Sequence, residues 1–297
     1  MGDDFLMSLD DAIFNWHLAK NFGPMESVFN ALKNAVVNNV EVLVPVNDQN
    51  ETAGIALVSN GEDNLIPLFT SEEEMSLHMP GAVARICLSK VFEGFLADEK
   101  IHAVAINPFG NRFVVTRNIL SALNSYEPRS RINIITGGVL APRCKVIVNA
   151  ANERLLGGGG VDGAIHKAAG PDLLEECRKL NGCKTGDAKI TGAYNIKHAK
   201  KIIHTVGPVY GMFDNPAELL SSCYRKSLDL AFENGLDSIA FPCISTGVYR
   251  YPLDEAAEVC LKTVSQWLDC HKEFVMNVYI CCFNESEYES YARLLGK

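Results

Sequence analysis

The feature that most constrains this chain is the run Val148-Asn149-Ala150-Ala151-Asn152, followed by Gly157-Gly158-Gly159-Gly160-Val161-Asp162-Gly163-Ala164-Ile165-His166. It reads as a buried strand, an Asn-bearing turn, and four glycines running into a helix. Glycines let a backbone approach a ligand closely and aim its N–H groups at one spot. The start of the next helix adds partial positive charge there. The expected guest is a pyrophosphate. Asn152 and Asp162 flank the loop ten residues apart. An amide can fix a sugar hydroxyl, and a carboxylate can accept a proton or hold a water. Each also has a plainer use: Asn152 suits an Asx turn, and Asp162 suits a helix N-cap. Asn149, at the strand end, suits either the cleft or a structural hydrogen bond. His166 reads as a packed, satisfied histidine and His204 as a structural mid-strand residue.

Rival phosphate motifs fit less well. Gly158, Gly160 and Gly163 match G-x-G-x-x-G literally, but a dinucleotide fold wants its glycines directly after a strand. Here the polar turn from Ala150 to Leu156 intervenes. No G-x-x-x-x-G-K-[ST] occurs, which argues against a P-loop kinase or ATPase. The ten cysteines form no zinc-like C-x-x-C pair, so no metal is implied. Cys281 and Cys282 are adjacent in a strand pattern, face opposite sides, and read as packing residues.

A chain of 297 residues is long enough for two domains. Its net charge of −9 is unevenly placed: residues 1–125 hold 7 Lys and Arg against 16 Asp and Glu, and residues 126–297 hold 20 of each. An acidic first half argues against a general nucleic-acid binder. It fits a solvated surface, with a basic protein partner as the other reading. No apolar run reaches the roughly 18 residues of a membrane span. The N-terminus lacks the basic start of a secretory signal, and unpaired cysteines suit a reducing cytoplasm.

In the first half, helical spacing covers Leu9 to Ala19 and Met25 to Ala35. Strand signals cover Val40 to Val46, Ala53 to Val58, Leu65 to Phe69, Val83 to Leu88 and His102 to Ile106. Pro67 suggests an edge strand, and Ser71 with Glu74 forms a capping box. A helix over Asn118 to Leu123 closes the region. A polar linker over residues 125–130 follows. Strand signals then cover Arg131 to Thr136, Val146 to Asn149, Lys201 to Val206, Ser238 to Pro242 and Asn277 to Cys282. Helices are expected at Pro171 to Leu180, Asn215 to Asn234, Leu253 to Leu268 and Glu287 to Leu295. This alternation predicts a mostly parallel sheet with helices on both faces. Ligands of such sheets sit at the carboxyl ends of strands, so the Asn152 turn and the loop at Ser245 can share one cleft.

Four ordered motifs in the second half resemble the macrodomain family, and most closely its MacroD-like branch. They are the Asn152–Asp162 run, Thr185-Gly186-Asp187-Ala188-Lys189-Ile190-Thr191-Gly192, His204-Thr205-Val206-Gly207-Pro208, and Cys243-Ile244-Ser245-Thr246-Gly247-Val248-Tyr249. The likeness spans about residues 131–297. The first half is similar to the SseB-like N-terminal domain family. It is carried by Val42-Leu43-Val44-Pro45-Val46, Leu65-Ile66-Pro67-Leu68-Phe69-Thr70-Ser71-Glu72-Glu73 and Ala105-Ile106-Asn107-Pro108. The resemblance implies an α/β protein: an SseB-like α/β or α+β domain over 1–124, then a three-layer α/β/α macrodomain over 131–297.

The resemblance also implies a chemistry. The second domain is expected to bind ADP-ribose, and to hydrolyse mono-ADP-ribosylated acidic side chains or O-acetyl-ADP-ribose. Asn152 would orient the distal ribose and Asp162 the attacking water. Val139, Asn149, Gly158, Gly159, Gly160 and Val161 would line the site with Ser245, Thr246, Gly247, Val248 and Tyr249, and Phe283 would stack on adenine or belong to the core. No cofactor is implied. Two departures stand out. The family's adenine-binding Asp is replaced by Gly138, and a frequent glycine is Arg250. The alternatives are an ADP-ribose reader without turnover, which does not require Asp162, and an adaptor whose acidic first domain recruits a partner.

Overall fold

The computed structural model describes residues 2–18, 25–47, 54–59, 63–79, 81–126, 131–272 and 274–296. The expected linker at 125–130 lies largely outside them, as does the polar stretch after Asn47. The chain divides into two compact units, Met1–His17 with Pro24–Pro128, and Leu18–Gly23 with Arg129–Lys297.

The first unit runs α1 (Gly2–Leu18), α2 (Glu26–Val37), β1 (Glu41–Asn47), β2 (Gly54–Ile55), β3 (Val58–Ser59), β4 (Asn64–Leu68), α3 (Glu72–His78), β5 (Val83–Cys87), α4 (Leu88–Ala97), β6 (Ile101–Ile106), β7 (Phe113–Thr116) and α5 (Arg117–Asn124). Its strands form two sheets, β2-β1-β5 and β3-β4-β6-β7. The run Ala53 to Val58, read as one strand, is split between them. The sheets meet at one bridge, where Leu43 and Phe69 exchange both hydrogen bonds. The next such pair in this register is Pro45 and Pro67, and neither has an N–H to donate. Pro67 therefore ends the junction, although β4 itself has β3 and β6 as neighbours and is not the edge strand expected. Ser71 caps α3 by accepting from Glu74 N, and α4 fills the apolar interior with Val91, Phe92 and Phe95.

The second unit runs β8 (Arg131–Thr136), β9 (Val146–Ala150), α6 (Gly160–Ala169), α7 (Pro171–Lys179), β10 (Ala188–Gly192), β11 (Lys201–Thr205), α8 (Pro216–Glu233), β12 (Ser238–Pro242), α9 (Leu253–Cys270), β13 (Asn277–Cys282) and α10 (Glu285–Leu294). The sheet order is β10-β11-β9-β12-β13-β8, antiparallel only at β10–β11. Strand side chains alternate between two cores, as a period of two demands. Val146, Val148, Phe241 and Ile280 join Tyr224, Cys260 and Trp267 of α8 and α9 on one face. Ile147, Ala240 and Cys281 join Ile165 and Cys177 of α6 and α7 on the other. Cys281 and Cys282 thus fill opposite cores. The result is a three-layer α/β/α unit. Among the described residues no helix is long and apolar enough to cross a membrane, and no cluster of His, Cys, Asp and Glu could hold a metal ion.

Candidate functional site

The glycine run leaves β9 and enters α6 at the carboxyl edge of the sheet. The helix starts earlier than Asp162 as an N-cap would require. Gly159 is the N-cap, and Asp162 lies in the first turn, nearly buried. Its carboxylate makes no cap and lies against Gly158 of the loop. Asn149 donates to its Oδ1 from 2.6 Å, and His166 Nε2 lies 3.5 Å from the same oxygen. Asp162 Oδ2 is buried with no hydrogen-bond partner. A buried acceptor left unpaired is costly, so this oxygen is a stored demand for a donor such as a bound water.

Gly158 shows where that oxygen is aimed. A Cβ on Gly158 would lie 3.0 Å from Asp162 Oδ2 and 3.3 Å from Asn152 Nδ2. The two side chains thus converge over one residue that has no side chain of its own. Asn152 also makes the Asx turn: Arg154 N donates to its Oδ1 at 3.1 Å, and its Nδ2 donates to Gly157 O at 3.1 Å. Gly163 closes the loop from below, because a Cβ there would sit 2.7 Å from Gly158 O.

Behind Asp162 runs a buried polar chain. Asn149 and His204 project from the α6 face of adjacent strands, at the Asn149–His204 register pair. Asn149 Nδ2 donates one hydrogen to Asp162, so its other faces His204 Nδ1 at 3.0 Å. That nitrogen must accept, which puts the ring hydrogen on Nε2. Nε2 lies 2.9 Å from Thr191 Oγ1, which in turn lies 3.2 Å from Gly192 O. The chain requires neutral His204. Burial, helped by nearby His166 and opposed by Glu176, pushes its pKa down to about 4. Of the two readings of Asn149, the structure has the structural hydrogen bond: the residue is fully buried and holds Asp162. His166, expected to be satisfied, has a buried Nε2 without a hydrogen-bond partner, because one helical turn leaves it just short of Asp162.

The second loop follows β12. Ser245 is buried and left-handed at φ 68, and Arg250 is left-handed at φ 55. The latter explains why glycine suits that position. Thr246 Oγ1 donates to Cys243 O, and Arg250 N to Gly247 O, each at 2.9 Å. Gly247 and Val248 are exposed at the tip, and Tyr249 is half-buried. A Cβ on Gly207, after β11, would overlap Ser245 Oγ, so that glycine lets the strand end close on the loop.

The remaining candidates lie around this cluster or at the far end of the sheet edge. Gly159 and Gly160 are exposed at the start of α6, and Val161 is half-buried. Val139 is buried at 4% exposure among Ile135, Cys144 and Ile147, so only its backbone can face a ligand. Phe283, after β13, is 80% exposed and not core. Gly138, near it at the β8 end, has open space where a Cβ would go. A cavity of about 540 Å³ opens beside Asn152, Gly157 and Tyr249 and continues to Arg154, Met212 and Phe213. Met212 and Phe213 have no signal in the sequence, since the loop after β11 has no periodicity.

The chain is similar to known proteins in both halves. The macro domain family model matches residues 148–260, and the model of the SseB protein N-terminal domain matches residues 27–122. A macro domain-containing protein of Mesorhizobium japonicum is 56% identical over 167 residues, 56% of this chain and 94% of that protein. The ADP-ribose glycohydrolase MACROD1 of Rattus norvegicus is 51% identical over 56% of this chain, which spans 64% of that protein's length. The solved Trypanosoma brucei macrodomain in complex with ADP-ribose is 45% identical, with a TM-score of 0.53, over 56% of this chain and 69% of its own.

Proposed function

The chain belongs to the macrodomain family, and from that premise we propose that it is an ADP-ribosyl hydrolase. Its substrates are mono-ADP-ribosylated acidic side chains, O-acetyl-ADP-ribose, or both. The site lies in a macrodomain over residues 131–297, separate from an SseB-like domain over 1–124. The observation that carries this reading is the convergence of Asn152 Nδ2 and the unpartnered Asp162 Oδ2 over Gly158. A reader of ADP-ribose needs pockets for its phosphates and ribose but no buried carboxylate beside them.

The chemistry follows from these positions. The pyrophosphate lies between the Gly158–Val161 loop and the Ser245–Tyr249 loop. Backbone N–H groups of both loops and the start of α6 hold it. Adenine lies at the β13–β8 end against Phe283, beside the backbone of Val139, without the acid that Gly138 replaces. The distal ribose then reaches Asn152, whose amide orients it, with Tyr249 over the ring. Asn149 fixes Oδ1 of Asp162, so Oδ2 is the oxygen free to accept a proton from water. The water oxygen bonds to the anomeric carbon, the bond to the acidic side chain breaks, and the leaving carboxylate carries off the bonding pair.

The acidic first domain suits a basic protein partner. Cysteines that fill cores, such as Cys177, Cys223 and Cys260, suit a reducing compartment such as the cytoplasm. The test is product analysis. The full chain, mixed with a protein mono-ADP-ribosylated on a glutamate, is expected to release free ADP-ribose and the unmodified carboxylate. Binding of the adduct without release would make the chain a reader.

A further inference from the structure

The order of strands sets a direction along the sheet edge. Adenine belongs at β13 and β8, the phosphates at the loops after β9 and β12, and the distal ribose at Asn152. Beyond Asn152 the edge continues over β11 and β10. Whatever is attached to the distal ribose must leave in that direction. The cavity lies there: it shares Asn152, Gly157 and Tyr249 with the ribose site and extends to Arg154, Thr185, Met212 and Phe213. At about 540 Å³ it is in the range of roughly 300–1,000 Å³ that holds drug-sized ligands, far more than one sugar ring fills.

Its outer wall has two unusual properties. Met212 is 72% exposed and Phe213 39%, in a unit whose other large apolar side chains mostly lie in its two cores. An exposed apolar cluster at the mouth of a polar site marks a contact surface. The charges there are also unequal. Glu153 is engaged, accepting from Thr185 N at 3.2 Å and Thr185 Oγ1 at 2.9 Å. Among the described residues the Arg154 guanidinium has no hydrogen bond or ion pair. The wall is therefore apolar, with a free guanidinium beside a carboxylate held on Thr185. It is also preformed. Tyr210 N donates to Tyr249 O at 2.9 Å, and the Tyr210 and Tyr251 rings meet edge-on at 5.0 Å, so the loop bearing Met212 and Phe213 is tied to the loop bearing Tyr249.

We propose that this cavity is an acceptor subsite for the polypeptide that carries the ADP-ribose. Its preferred occupant is an acidic segment with a large apolar residue beside the modified carboxylate. The apolar residue packs on Met212 and Phe213, and a flanking carboxylate pairs with Arg154. The inference rests on the hydrolase reading for the identity of the attached ribose, and it adds a choice among protein targets.

The test compares a mono-ADP-ribosylated acidic peptide containing a leucine next to the modified glutamate with O-acetyl-ADP-ribose, which has no polypeptide. In the full chain, Phe213→Ala and Arg154→Ala should each lower kcat/KM for the peptide about tenfold, the effect of losing one good contact. Both should leave O-acetyl-ADP-ribose within about twofold, since the lost contact lies beyond the ribose. Arg154→Glu should shift preference from acidic to basic flanking residues. Equal losses on both substrates, or no loss on the peptide, would overturn the subsite. A binding arm separates this from failure of the hydrolase reading. With Asp162→Ala, calorimetry should show the peptide adduct binding up to about a hundredfold tighter than free ADP-ribose, about tenfold for each contact, an advantage abolished by adding Arg154→Ala and Phe213→Ala. If the adduct binds no tighter than ADP-ribose, the subsite is wrong whatever the turnover.

Discussion

Lowering the pH should destabilise the second unit through His204. In the fold this ring is neutral and fully buried, accepts from Asn149 at Nδ1, and faces Thr191 and Cys177 at Nε2. His166 and Glu176 are its titratable neighbours, with opposing effects. Its pKa falls from 6.5 to about 4. Between those values the unfolded chain binds a proton that the folded chain refuses, so stability rises with pH and is lost as pH falls below 6.5. Integrated over the titration, the loss is about 2 kcal/mol from pH 7 to pH 5 and approaches about 3 kcal/mol at pH 4. His204→Gln keeps a polar side chain without a titrating ring. Urea unfolding of both proteins, followed by circular dichroism at pH 7 and pH 5, removes every other group's contribution by difference. The variant should lose about 2 kcal/mol less than the wild type over this interval. Equal losses would mean that His204 charges freely in the fold, and the polar chain behind Asp162 would have to be redrawn.

Other substitutions probe the site directly. Gly138→Asp has room for its side chain; a charged acceptor for the adenine amino group is worth about 1.5–3 kcal/mol, so ADP-ribose affinity by calorimetry should rise tenfold or more. Unchanged affinity would place adenine elsewhere. Gly158→Ala puts a methyl group against Asp162 Oδ2 and Asn152 Nδ2; turnover should fall at least about tenfold with the circular dichroism spectrum unchanged, and full activity would show that the two side chains do not act at one point. Gly207→Ala drives a methyl group into Ser245 and Ile244; it should weaken ADP-ribose binding by displacing the second loop, and wild-type affinity would argue that this loop does not hold phosphate.

Much of the second unit was legible because its elements are long and regularly patterned. Ser238 to Pro242 and Asn277 to Cys282 are buried on both faces and read directly as strands. The first unit was harder. Phe113–Thr116 was missed, being a four-residue strand between two arginines, and Ala53 to Val58 concealed a break between two sheets. In the site, residue types pointed to chemistry, but orientation depended on details that no spacing encodes. Gly159, not Asp162, caps α6, and that three-residue difference turns the carboxylate from capping to burial. Parity along β9 puts Asn149 under α6, yet only the neighbouring strand shows that His204 waits beside it. Met212 and Phe213 became visible only when the loop after β11 was seen folded against Tyr249.

The central claim is that Asp162 acts on a water while Asn152 orients the ribose, and it is tested most directly by a single-turnover measurement. Wild type and Asp162→Ala are each saturated with a glutamate-linked ADP-ribose adduct, and the release of ADP-ribose is followed, with affinity for free ADP-ribose measured on both. The wild type should release ADP-ribose, and Asp162→Ala should slow release by about 10²–10⁴-fold, the usual worth of general acid–base help. Affinity should change only a few-fold, because the contact matters mainly in the transition state. A wild type that binds but releases nothing would contradict the hydrolase reading. An Asp162→Ala protein with an undiminished rate would contradict the role given to that carboxylate.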